Sequence, residues 1–230
     1  MLPKITHPLY DFKIPSSGVA VKFRPFTVRE EKLLLMAKES KGDRKAIFDV
    51  YRQLVQNCVV GKIDVDELAP FDVEAFFIAL RSKSVGNIIE AKIKHDDGDS
   101  YDIAIDLDAV KVDDAWTKKQ RTVMISPEIG VVLRYPSFAA AVDAEGSKNR
   151  SLALLKACID VVFQGDDVHE FARAPADEQT EFLNSLGPKQ LEAFDEFFKS
   201  FPRVYVDVEY TTKGGERITK ALQGIESFFG

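Results

Sequence analysis

The chain has 230 residues, of which 45% are apolar and 30% charged, an ordinary mixture for a globular protein with a buried core. Lys and Arg number 31 against 37 Asp and Glu, a formal charge of −6 that disfavours non-specific nucleic-acid binding, whose affinity rests on clustered cations. No apolar run is long enough to span a bilayer, and the N-terminal MLPKITHPLYDFKIP has three prolines and no continuous apolar core, so no signal peptide is expected.

Val19 to Phe23 alternates apolar and polar residues and predicts a short strand that Pro25 ends. Thr27-Val28-Arg29-Glu30 has the form of a capping box, so a helix is expected from Val28 to about Lys38. After the polar break at Ser40 to Asp43, Ile47, Val50, Tyr51, Leu54, Val55 and Cys58 recur at helical spacing. Pro70 and Asp72 open a third helix, with Val73, Phe76, Phe77 and Leu80 as its apolar stripe. Arg81 and Lys83 suit the electronegative end of that helix, and Gly86 suits the position after it. Ile88 to Lys94 and Tyr101 to Ile105 read as a hairpin closed by Asp97-Gly98.

The second half repeats this order. Gly130 to Arg134 predicts a strand ended by Tyr135-Pro136. Leu152, Leu155, Ile159 and Val162 predict a helix stripe beside Cys158, and Leu191, Phe194, Phe198 and Phe201 another. Val204 to Tyr210 and Arg217 to Leu222 then flank a Gly214-Gly215 turn. The expectation is an α+β protein of two similar subdomains, 1–116 and 117–230, each strand, helices and β-hairpin, with antiparallel strands and packed helices.

The stretch FIALRSKSVGN invites a chemical reading. A phosphate loop needs glycines before its Lys-Ser, following a strand; here Lys83-Ser84 follows a helix and precedes Gly86. Lys83 is one residue from Ser82 and from Ser84, about 100° away around a helix, which makes it a poor base for either. The three histidines are far apart, and Asp96-Asp97-Gly98-Asp99 lacks the alternation of a calcium loop. Cys58 and Cys158 sit on apolar stripes and read as buried thiols of a reducing cytoplasm rather than a disulfide. The expectation is therefore no catalytic residue, no cofactor and no metal. Phe228 and Phe229 near the C-terminus suit either a tail docked on the chain's own core or an anchor in a partner.

MLPKITHPLYDFKIPSSGVAVKFRPFTVREEKLLLMAKES, LVQNCV, FDVEAFFIALRSKSVGN and LQGIESFF together resemble the T4-type bacteriophage baseplate hub proteins, strongly in the first half and more loosely in the second. Phe23 to Met36 and Leu80 to Gly86 are the most specific parts. The hairpin after Ser84-Val85-Gly86 carries Lys94 to Gly98 rather than cysteines, so no zinc-ribbon feature is expected. The resemblance implies a non-enzymatic hub component or assembly factor of a contractile tail. It would bind other baseplate or tail proteins, with several copies around the tail axis and without nucleic acid or membrane. It would work in the host cytoplasm during assembly, and in the virion baseplate if retained. The alternatives are a chaperone that leaves before maturation and, more distantly, a hub-associated hydrolase. Contacts are expected at Arg24 and Pro25, at Arg81, Lys83 and Asn87, and at Phe228 and Phe229.

Overall fold

A computed structural model describes residues 3, 5–39, 44–113 and 121–224, the side chains of 37–39 and 44–47 excepted. The chain forms two compact units, one of residues 1–113 with 203–230, the other of 114–202. The fold is α+β, with antiparallel sheets as expected. Among the described residues no helix is long and apolar enough to cross a membrane.

Unit 1 opens with strands β1 (Tyr10–Lys13) and β2 (Ala20–Phe23), followed by helices α1 (Val28–Glu39) and α2 (Arg44–Cys58). The two-residue β3 (Val59–Val60) returns to pair with β2. Helix α3 (Pro70–Ser84) starts at a proline, whose missing N–H is no loss in a first turn. The carboxylate of Asp72 accepts the Ala69 N–H at 3.1 Å and both the N–H and hydroxyl of Ser16, at 2.8 and 2.6 Å. It thereby ties the helix start to the turn after β1.

The stripe read from the sequence is the core of this unit. Phe76 meets Phe12 and Phe23 edge-on at 5.2 and 5.3 Å, and Phe77 lies 4.7 Å from Tyr51 of α2. Phe23, Phe76, Phe77, Leu54 and Leu80 are fully buried, each contributing about 1.5–3 kcal/mol. Beyond α3 run the hairpin β4 (Ile88–Lys94) and β5 (Ser100–Asp106) and the short β6 (Lys111–Val112).

Unit 2 holds β7 (Thr122–Met124), β8 (Ile129–Leu133), α4 (Phe138–Glu145), α5 (Arg150–Cys158), β9 (Ile159–Gln164), β10 (Asp167–Glu170), α6 (Ala176–Asn184) and α7 (Pro188–Lys199). Its sheet runs β10-β9-β8-β7. One face, with Val131 at its centre, packs on Leu155, Cys158, Phe171, Leu183, Phe194 and Phe197.

Three expectations are corrected. Ile159 and Val162 lie in β9, not on the preceding helix: a run of Ile, Val, Val and Phe favours strand, and β9 pairs with β8 and β10. Helix α7 ends at Lys199, so Phe201 follows it, while still meeting Tyr135 at 5.9 Å. The last hairpin, β11 (Val204–Thr211) and β12 (Arg217–Gln223), belongs to unit 1 rather than closing a subdomain of residues 117–230. The reason is pairing: Val204 and Tyr205 of β11 lie opposite Val112 and Lys111 of β6.

Candidate interaction surfaces

Arg24 follows β2, and its main-chain N–H donates to the carbonyl of Cys58 at 2.9 Å. Its guanidinium is turned inward. It donates to both carboxylate oxygens of Glu30, at 3.0 and 3.3 Å, and to the carbonyl of Pro25 at 2.9 Å. Glu30 also accepts the N–H and hydroxyl of Thr27, at 2.8 and 2.6 Å. The expected capping box thus forms in a modified way, with the threonine hydroxyl donating to the glutamate. Burial alone would raise the Glu30 carboxyl, but Arg24 and Thr27 outweigh it and hold the group at about 2. Arg24 keeps only 26% of its side chain exposed. Burial pushes the Cys58 thiol up to about 11 and that of Cys158 up to about 12, which makes both poor nucleophiles at neutral pH.

The end of α3 is a closed network. Ser82 donates its hydroxyl to Asp108 at 2.8 Å, Lys83 pairs with the same oxygen at 2.9 Å, and the Asn87 amide reaches the other at 3.3 Å. Lys83 first, then Ser82, holds the Asp108 carboxyl below the usual range. Ser84 donates to the Leu80 carbonyl at 2.6 Å and accepts the N–H of Phe26 at 2.9 Å. Arg81 donates to the carbonyl of Gly86 at 3.3 Å, and Gly86 sits at φ +139°, as a residue ending the helix there requires. This stretch therefore joins the helix end to the segment after β5. Lys83 and Asn87 meet around Asp108, Arg81 stays beside them, and Arg24 with Pro25 forms a separate group around Glu30. Phe228 and Phe229 lie outside the described residues.

A further polar cluster was not expected from the sequence. His95 Nδ1 lies 2.8 Å from the hydroxyl of Tyr210, whose ring stacks on Tyr101 with centroids 5.4 Å apart. The Tyr101 hydroxyl donates to Asp97 at 2.6 Å and accepts the Lys213 N–H at 3.2 Å; the Lys213 ammonium meets Asp99 at 2.7 Å. The two hairpin turns, one acidic and one carrying Lys213, thus hold each other. Their opposite charges were the available signal. Glu74 on α3 is a second omission: its Oε1 is buried without a hydrogen-bond partner, and burial pushes its carboxyl up to about 7.

No curated protein and no solved structure matches the chain. A family model described as T4 bacteriophage base plate protein matches residues 7–230.

Proposed function

Because the chain belongs to the T4 bacteriophage base plate protein family, we propose that it works at the central hub of a contractile tail, binding other tail subunits and performing no bond-breaking step. The family makes it a baseplate protein and implies contacts with other baseplate proteins. The hub position and the lack of chemistry are our reading.

The observation that carries the non-catalytic part is the fate of the reactive side chains. Ser82, Lys83 and Ser84 are the residues that most resemble a nucleophile and its base. Each is committed to holding α3 against its neighbours, through Asp108, the Leu80 carbonyl and the Phe26 N–H. A serine hydroxyl that donates to a carboxylate could be activated by it only if the oxygen faced substrate. Ser82 is buried, with 6% of its surface exposed.

Mass spectrometry of purified particles, with cryo-electron microscopy of the intact tail, tests this reading. Stoichiometric peptides and density at the tail axis are expected. Absence from mature particles would favour a departing assembly chaperone, and density only at the periphery would exclude the hub. Peptidoglycan turnover by the purified chain, abolished by one carboxylate substitution, would overturn the non-catalytic reading.

A further inference from the structure

The sheet of unit 2 has two unlike faces. Strand register places His169, Val162, Val131 and Val123 in one row, and Val131, Val162 and Val123 turn into the core. The neighbouring row, Val168, Phe163, Gly130 and Met124, takes the opposite face by the two-residue alternation of a strand. Among the described residues nothing covers that face, with Val168 66% and Met124 52% exposed. The Phe163 ring lies across Gly130, where an added Cβ would sit 2.2 Å from its Cζ and 2.9 Å from Met124 Sδ. Side chains from three strands thus merge into one apolar strip across the sheet. Val161 and Val132, both half-buried, widen it.

The β1–β2 hairpin of unit 1, which occupies the corresponding place in the chain order, indicates that such a face need not be apolar. Lys22 stands two residues before Arg24 as Val132 stands two before Arg134. Lys22 makes a solvent-exposed ion pair with Asp11 on the facing strand, at 3.0 Å. At the turn end of the unit 2 strip, the Gly165 N–H donates to the Glu128 carbonyl at 3.1 Å. This brings the exposed turn residues Glu128 and Asp166 into an acidic lip.

Helix α1 carries the complementary surface. Its inward side holds Glu30 with Leu33 and Leu34 half-buried. At 100° per residue, Val28, Lys32, Leu35 and Met36 fall within about 100° of arc on the other side. Val28, Leu35 and Met36 are 66%, 56% and 65% exposed, and Arg29 and Lys32 are exposed among them. From Val28 to Met36 the stripe is about 12 Å long, and the apolar strip crosses three strand spacings, about 14 Å. Among the described residues these are two exposed apolar surfaces of similar length. The strip has carboxylates at its turn end, and the helix carries Arg29 and Lys32 beside its stripe, with exposed Glu31 on the far flank, so the two fit with Arg29 and Lys32 toward the acidic lip.

We propose that the uncovered face of the unit 2 sheet receives helix α1 of a second copy of this chain, head to tail. The contact is heterologous, so repetition produces a ring or an open filament rather than a two-fold dimer. It stands or falls independently of the hub placement, since it concerns the purified chain alone.

The test is light scattering after size exclusion, on the full chain at up to roughly 100 µM, where a modest interface fills. The wild type should exceed the monomer mass and fall toward it with salt, as exposed charges are screened. Leu35→Asp and Met124→Asp should each reduce association by at least tenfold while melting as the wild type does. Mixed one to one, they should form a particle of twice the monomer mass, because each retains the surface the other has lost. Val168→Asp replaces Met124→Asp if the latter fails to fold. Lys32→Glu should weaken association, and adding Asp166→Lys should restore it in part. A wild type monomeric throughout, a single variant that still assembles, or a folded mixture that stays monomeric would each overturn the proposal.

Discussion

The main-chain N–H of Arg134 donates to the carbonyl of Cys158 at 2.7 Å. Arg24 and Cys58 make the same bond at 2.9 Å, in each case linking the residue after a strand to the last residue of the second following helix. Both helices pass directly into a strand, and a short 3-10 turn followed by Ala-Pro comes next, at Ala69-Pro70 directly after β3 and at Ala174-Pro175 after the additional strand β10. These correspondences support the proposal that the chain contains an internal repeat.

The two corresponding segments differ in how the arginine is used, and a pair of variants reads that difference. Arg134 lies 3.9 Å from Asp160 with about half of each side chain exposed. Such a pair contributes at most about 1 kcal/mol. Arg24→Ala instead strands the buried Glu30 carboxylate and should destabilise by about 3 kcal/mol. Urea unfolding of Arg24→Ala and Arg134→Ala should show this ordering; equal losses would contradict it.

Glu30 also sets an acid limit. Its folded value of about 2 lies below the ordinary 4.5, so its contribution is present above about pH 4.5 and is lost as pH falls toward 2. Wild type and Glu30→Gln should differ in melting temperature at pH 7 and converge near pH 2. A constant gap across that range would refute the pairing.

Glu74 works in the opposite direction. Its folded value of about 7 lies above the ordinary 4.5, so the folded state holds a proton that the unfolded chain has released. Stability from this group is complete below about 4.5 and is lost as pH rises through 7. Glu74→Gln should be near neutral at pH 4 and gain about 1–3 kcal/mol at pH 8. Melting curves at the two pH values check it.

Two glycines should fail for different reasons. Gly130→Ala places a methyl group against Phe163 and should destabilise by about 1–3 kcal/mol through overpacking. Gly86→Val meets open space, and its loss, of order 1–3 kcal/mol, comes from φ +139° alone. Shortening the neighbour should rescue the first: Phe163→Leu should recover part of the stability of Gly130→Ala. Among the described residues no neighbour lies close enough to Gly86 for its shortening to relieve Gly86→Val.

The helices and hairpins were legible where one residue pattern dominated. Leu54, Val55 and Cys58 on α2 and Phe76, Phe77 and Leu80 on α3 are buried as their spacing implied. The hairpin turns formed at Gly98 and Gly215, both at positive φ. Ile159 fits the helical stripe and the strand alike, and only pairing with Leu133 decides it. Helix α6 is hard to read from the sequence because Gln179 and Leu183 give only a short stripe, although Ala174-Pro175 resembles the Ala69-Pro70 start of α3. The roles of Arg24 and Lys83 depended on Glu30 and Asp108. Glu30 was near in sequence yet read only as a cap, and Asp108 lay 25 residues from Lys83. Such tertiary partners leave no local pattern.

The hairpin at 204–223 completes the unit that begins the chain, while unit 2 is threaded between its parts. On the ribosome, unit 2 therefore has all its strands and helices before unit 1 does. A nascent chain stalled before residue 204 leaves β5 and β6 without β11 to cover them. In such fragments β5, which carries the buried Ile103 and Ile105, lacks a strand it neighbours in the folded unit, and is expected to be open to chaperones and proteases. Complete translation thus becomes a condition for the amino-terminal half to mature.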